Sequence, residues 1–166
     1  KSDITECRRK SEVTKLVLRS LLEPNYQSGA IVDGYPRTKT QVECLKLFHR
    51  RLTELRSKYL GTFQEAQFPK PRFHIIMLFI DEEESVRRQF IRGKRTMEHN
   101  AEVGASGVGQ VREVRKTDLD EEAAHKRYKT FKESTYDSLT TLRDVFHYHF
   151  INAHGTVIEV QQRIIQ

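Results

Sequence analysis

The run Asp33-Gly34-Tyr35-Pro36-Arg37-Thr38 places an acid, a glycine, a proline and an arginine directly after the apolar residues 30–32. That order suits an anion site. Asp33 falls at the carboxyl end of the apolar run, where open α/β sheets bind ligands. Gly34 has no Cβ and lets backbone or ligand approach closely. Pro36 fixes the turn, with a cis bond as one way of doing so. Arg37 then projects a planar fork of donors matched to phosphate or carboxylate. The same residues also suit an ordinary strand-to-helix turn, and by themselves they divide evenly between the two readings. A second basic pair, Arg88 and Arg92, stands four residues apart and so on one helix face. Taken alone, that pair reads first as a solvated basic helix end completing the macrodipole, and the Asp33-to-Thr38 run upstream turns it toward an anion-binding part.

The elements that must position these side chains follow from periodicity. Val13, Leu16, Val17, Leu21 and Leu22 predict an amphipathic helix over about 11–22, stopped by Pro24 and Asn25. Residues 29–33 predict a buried strand, and Thr38 is placed to cap a helix carrying Cys44, Leu45, Phe48, Leu52 and Leu55 to about Tyr59. Residues 61–72, with Pro69 and Pro71, predict a loop, and residues 73–80 a second buried strand. The acidic run 81–84 opens a helix that continues through Arg95. Residues 96–114, with Gly104, Gly107 and Gly109, predict an irregular stretch long enough to act as a mobile cover. From 119 to about 149 neither glycine nor proline occurs, which predicts one long helix or a bent pair. A short strand at 150–153 and a closing helix after Gly155 complete an alternating α/β pattern with parallel strands. No internal repeat and no domain boundary stands out.

At 166 residues, 37% hydrophobic and 31% charged, the chain is sized for one globular domain with a real core, and disorder is not indicated. No apolar window is long enough for a membrane span and no signal-like core opens the chain, so a soluble intracellular protein is expected, in the cytoplasm or an organelle interior such as chloroplast or mitochondrion. Cys7 and Cys44 lack metal-ligand spacing and read as free, reduced packing residues. The net charge of +6 suits an anionic partner. Aromatics are not interleaved with the basic clusters as a single-strand nucleic-acid groove requires, which leaves nucleotide phosphate ahead of RNA.

Asp33-Gly34-Tyr35-Pro36-Arg37-Thr38, with Gln41 three residues after Thr38, resembles the signature of adenylate kinases and related nucleoside monophosphate kinases. Arg88-Gln89-Phe90-Ile91-Arg92-Gly93 resembles the Arg-x-x-x-Arg-Gly element at the family's lid hinge. Arg115 with the acids that follow it, and Arg127 in Lys-Arg-Tyr, resemble the lid-closing arginine and the downstream phosphate arginine. Asn152-Ala153-His154-Gly155-Thr156 is similar to the loop whose backbone holds the adenine base. The resemblance runs from about residue 11 to the C-terminus. It implies a three-layer nucleoside monophosphate kinase core of the P-loop NTPase type with a parallel sheet, incomplete at its N-terminus, over 1–166, with a short lid at 96–114. It implies transfer of the γ-phosphoryl group of Mg-ATP to AMP or another monophosphate. Gly34 and Arg37 would take the acceptor phosphate and Gln41 its base. Arg88, Arg92, Arg115 and Arg127 would surround the transferring group. Gly155 and Thr156 would lie at the ATP base, and Asp33 would hold Mg²⁺ through water.

Gly-x-x-x-x-Gly-Lys-Ser/Thr occurs nowhere in the chain. The phosphate-loop strand of the family is expected upstream of Lys1, in a longer polypeptide, and the given residues alone are expected to be inactive. Arg8 and Arg9 stand where the family has an apolar pair against the nucleoside base, and the connection at 49–72 is longer and more basic than the family's. The absent phosphate loop supports a rival reading, a catalytically inactive adenylate-kinase-like nucleotide-binding or docking domain of a larger protein. An RNA-binding domain is a third reading. Gly104-Ala105-Ser106-Gly107-Val108-Gly109 lacks the lysine and preceding strand of a phosphate loop. Glu121 and Glu122 read as helix N-terminal charge. His147 and His149 are expected on opposite sides of a strand, or divergent on a helix, and so not as a metal pair.

Overall fold

The computed structural model describes residues 12–26 and 28–166. The expectations for residues 1–10, with Cys7, Arg8 and Arg9, lie outside the described residues. In chain order the elements are α1 (residues 12–20), α2 (Lys39–Tyr59), β1 (His74–Phe79), α3 (Glu82–Ser106), α4 (Glu121–Thr130), a π-helical turn (Phe131–Tyr136), α5 (Asp137–Thr140), a 3-10 turn (Thr141–Asp144), β2 (His147–Asn152) and α6 (Val157–Ile165). This is a mixed α/β arrangement. β1 and β2 form a two-stranded sheet. They run parallel: the His74 ring stacks on His147 near their starts, and the Ala153 N–H donates to the Phe79 carbonyl at 2.8 Å beyond their ends.

Three expectations need correction. The strand expected at 29–33 does not form, for those residues carry no regular structure, with Ile31 fully exposed and Val32 39% exposed. An apolar run becomes a strand only where a neighbour takes its ladder hydrogen bonds. Among the described residues only β1 and β2 pair. The stretch expected to be irregular from residue 96 is helical as far as Ser106, because Met97, Glu98, Ala101 and Glu102 are good helix formers and one glycine at 104 is tolerated. The stop is Gly107, which takes the left-handed conformation at φ 68° and donates its N–H to the Val103 carbonyl. His147 and His149 both lie in β2, two residues apart and therefore on one face. Among the described residues no group of three or more His, Cys, Asp or Glu could hold a metal ion, and no helix is long and apolar enough to cross a membrane.

The chain divides into two compact units. The first runs to Ile75 and includes Thr135–Tyr148. Its core is Val42, Leu45, Leu142 and Phe146, with Leu18, Tyr35, Phe73, Ile75, Leu139 and Tyr148 packed against it. The Phe73 and Phe146 rings stack at 5.4 Å. As the sequence predicts, Thr38 caps α2, its hydroxyl accepting from the Gln41 N–H at 3.3 Å.

The second unit is Ile76–Ser134 with His149–Gln166. Asp81 caps α3 by accepting from the Glu84 N–H at 2.8 Å, and Asp120 caps α4 by accepting from the Ala123 N–H at 3.1 Å. The acids of each first turn, Glu82 to Glu84 in α3 and Glu121 and Glu122 in α4, sit where the helix dipole favours them. Gly93 is buried in α3, and the absent Cβ lets the backbone of Asp118 lie directly against the helix.

Candidate functional site

In the first unit the Asp33-to-Thr38 run is a loop whose shape is set by its own side chains. The Tyr35–Pro36 bond is cis, Pro36 is buried, and Gly34 holds φ at 73°. The Arg37 side chain folds back, its Nε donating to the Gly34 carbonyl at 2.6 Å. A Cβ at position 34 would collide with that guanidinium, so glycine there is what permits the fold-back. The Arg37 N–H donates to Gln41 Oε1 at 2.8 Å, and its carbonyl accepts from the Thr135 hydroxyl at 3.1 Å. Gln41 is 6% exposed. It therefore anchors the loop, a part that its position four residues after Arg37 signals only once the cap at Thr38 is recognised. Asp33 is exposed.

The second unit gathers the remaining arginines around two short segments. Arg92 donates to Asp118 through Nε at 3.1 Å and also through Nη2. The Asp118 N–H donates to the Arg115 carbonyl at 2.9 Å, and Arg127 Nη1 donates to the Thr117 hydroxyl at 3.4 Å. The Arg92 and Arg127 side chains thus meet on the 3-10 turn Lys116–Asp118, which Arg115 immediately precedes and where Asp118 is 3% exposed. The bonds from Arg92 hold the Asp118 carboxyl below the usual carboxylate range, and the charge of Arg115 adds to that. Sequence reasoning gave Asp118 no separate part. An aspartate one turn-length after Arg115 was its available signal, hidden among the acids that open α4.

Arg88 takes a different direction from Arg92. Its Nε donates to Glu84 at 2.6 Å, and its Nη2 donates to the Ala153 and Gly155 carbonyls at 3.0 Å each. Hydrogen bonds from Arg87 and then Arg88 hold the Glu84 pKa at about 2. Gly155 (φ 101°) turns the chain into α6, and Thr156 caps it in a reciprocal box with Glu159. Gly155 and Thr156 are thus brought beside Arg88, while Arg37 and Gln41 belong to the first unit.

The comparisons with known proteins agree with part of this. An adenylate kinase of Rickettsia prowazekii (strain Madrid E) is 24% identical over 168 residues, covering 92% of this chain and 67% of that protein. The likeness is distant. It supports a kinship with adenylate kinases over most of the chain, at the level of nucleotide-binding, kinase-like ancestry. No family model matches the chain, and no solved structure matches it.

One titration is accessible within the second unit. His125 on α4 meets Glu82 at the start of α3 through Nδ1 at 2.7 Å, and Glu121 lies 3.8 Å from its Nε2. The Glu82 bond raises the imidazole above its ordinary 6.5. The stability this pair contributes is therefore full below pH 6.5 and is lost as pH rises through the raised value. In an NMR titration, Glu82→Gln is expected to bring the His125 midpoint down toward the ordinary value. An unchanged midpoint would show that Glu82 is not its cause.

Proposed function

We propose that this chain is an adenylate-kinase-like nucleotide-binding domain that holds nucleotide phosphate through its arginines. The observation that carries the reading is the meeting of Arg92 and Arg127 on one short turn that Arg115 precedes. The guanidinium groups of Arg92 and Arg127, carried on helices and bonded to Asp118 and Thr117, are oriented before a phosphate arrives, and such donors lose little on binding. Magnesium would come with the triphosphate. Asp33, one exposed carboxylate, could reach it only through water, as suits an ion that keeps several waters and takes substrate oxygens.

The finer reading, transfer of the γ-phosphoryl group from ATP to AMP or another monophosphate, is favoured by the Arg37 loop. The Arg37 side chain is held by the bond of its Nε to the Gly34 carbonyl of the same exposed loop, from which a monophosphate could recruit it. Catalysis would then consist of positioning and charge neutralisation, with residues 96–114 as lid. The phosphate-loop lysine that such transfer uses is not among these residues, which is why nucleotide binding stands first.

Calorimetric titration with ATP and AMP tests the first reading. Wild type is expected to bind ATP saturably, and Arg127→Ala, an exposed position, to weaken it about tenfold. Absence of saturable binding would overturn it. A coupled ADP assay decides the second reading. ADP formed from ATP and AMP, and lost in Arg37→Ala, supports transfer, whereas binding without ADP leaves the binding domain alone.

A further inference from the structure

Between α2 and β1, in the first unit, the chain makes a loop that is closed at its base and apolar at its tip. The Tyr59 and Phe68 rings stack at 4.3 Å, and Arg56 Nη1 donates to the Phe68 carbonyl at 2.9 Å, which joins the two ends. Inside the loop the Gly61 N–H donates to Glu65 Oε2 at 2.9 Å. The Thr62 hydroxyl donates to the Tyr59 carbonyl at 2.7 Å and accepts from the Gln64 N–H at 3.3 Å. Compact loops held by their own side chains in this way are frequently functional. Phe63 stands at the middle of the loop and is 94% exposed, and Leu60 is exposed three residues before it. A single exposed apolar residue is ordinary. Here the bonds of Thr62 and Gln64 fix the backbone on both sides of Phe63, so the loop presents the ring instead of folding over it.

The charge around this tip has one sign. Residues 56–72 carry Arg56, Lys58, Lys70 and Arg72 against a single acid, Glu65, and that acid lies 3.7 Å from Arg56. Lys58, Lys70 and Arg72 are exposed and enter no ion pair among the described residues. An apolar tip flanked by unpaired cations matches a surface that is anionic outside and apolar beneath. An anionic bilayer has that order, with headgroups first and acyl chains below. We propose that Phe63 and Leu60 enter the interface of an anionic membrane while Lys58, Lys70 and Arg72 meet its headgroups. Two of the three cations are lysines, mobile point charges suited to a diffuse negative layer more than to the fixed carboxylates of a protein pocket. With two apolar side chains the contact is peripheral and reversible. The proposal stands apart from the nucleotide-binding reading, for it uses none of the arginines assigned to phosphate.

The chain contains no tryptophan, so Phe63→Trp places a single fluorescent reporter at the tip. Its emission is expected to shift to the blue with vesicles of phosphatidylserine in phosphatidylcholine, to be quenched when the acyl chains are brominated, and to stay unchanged with phosphatidylcholine alone. In vesicle co-sedimentation, Phe63→Ala and the double variant Lys58→Glu, Lys70→Glu are each expected to bind the phosphatidylserine vesicles about tenfold more weakly than wild type. All three positions are exposed, so the variants keep the fold, and circular dichroism checks that they do. An emission spectrum indifferent to phosphatidylserine vesicles would overturn the proposal, and is the result expected of a tip that seats in a protein pocket instead. Wild-type affinity in Phe63→Ala or in the double variant would overturn it as well, as would equal binding of wild type to vesicles of phosphatidylcholine alone.

Discussion

Asp118→Ala is expected to lower the unfolding free energy by about 3 kcal/mol, the low end for breaking a pair with one buried member. Asp118 is 3% exposed and accepts two bonds from Arg92, with a third from the Thr117 hydroxyl at 3.4 Å. Removing the carboxylate leaves the guanidinium without its partner against a buried turn. The Arg92 side chain is 45% exposed, so water recovers part of the loss, and this places the value below what a fully enclosed pair would show. The carboxyl titrates below its ordinary 3.8 because Arg92 stabilises the charged form. A depressed carboxyl contributes its stability above the unfolded value and loses it as pH falls through the folded value. Urea unfolding at pH 7 should therefore separate wild type from Asp118→Ala by the full amount, and the gap should narrow below about pH 4. A gap under 1 kcal/mol at pH 7 would show that the turn is held by its backbone and not by the ion pair. Asp118→Asn, which keeps the shape and drops the charge, is expected to fall between the two.

Helices with both a cap and an apolar period were legible in the sequence. Thr38 and Asp81 announce α2 and α3, and the β-branched run at 73–80 announces β1, because each signal is local and needs no partner to be recognised. The strand expected at 29–33 shows the opposite case. Its residues are apolar enough, but a strand is completed by a neighbour's hydrogen bonds, and no local pattern reports whether that neighbour is present. The far half of α3 was missed for a different reason. Gly104 looked like a breaker, although helix termination depends on a residue reaching the left-handed region, which Gly107 does and Gly104 does not. The π-helical turn at Phe131–Tyr136 carries neither glycine nor proline and had no signature to read. In the candidate site the arginines were visible as spaced basic residues. What fixes them was not, because Asp118 and the carbonyls of 152–155 become partners only after the chain has folded.

Gly93 and Gly104 provide the second large expected effect, since the same substitution in one helix should have opposite signs. Both lie within α3. Alanine in a helix interior is favoured over glycine by about 1 kcal/mol, because glycine loses more backbone freedom on folding. At Gly104 an added Cβ would meet nothing within 4 Å, so Gly104→Ala should gain most of that amount. At Gly93 the added Cβ would collide with the Asp118 carbonyl oxygen and lie 2.9 Å from the Asp118 Cβ. The obstruction is backbone and cannot rotate away. Relief requires the Lys116–Asp118 turn to move off α3, and overpacking of that kind costs about 1–3 kcal/mol, often more when a buried ion pair is stretched with it. The steric cost exceeds the propensity gain, so Gly93→Ala should lower the unfolding free energy by about 2 kcal/mol net. Because the displaced turn carries Arg115 and orients Arg92 and Arg127, the variant should also weaken ATP binding, which Gly104→Ala should leave unchanged. Chemical unfolding and nucleotide titration on the two single variants measure both effects. Equal stability changes at the two positions would mean that the close approach of Asp118 to α3 does not govern this turn.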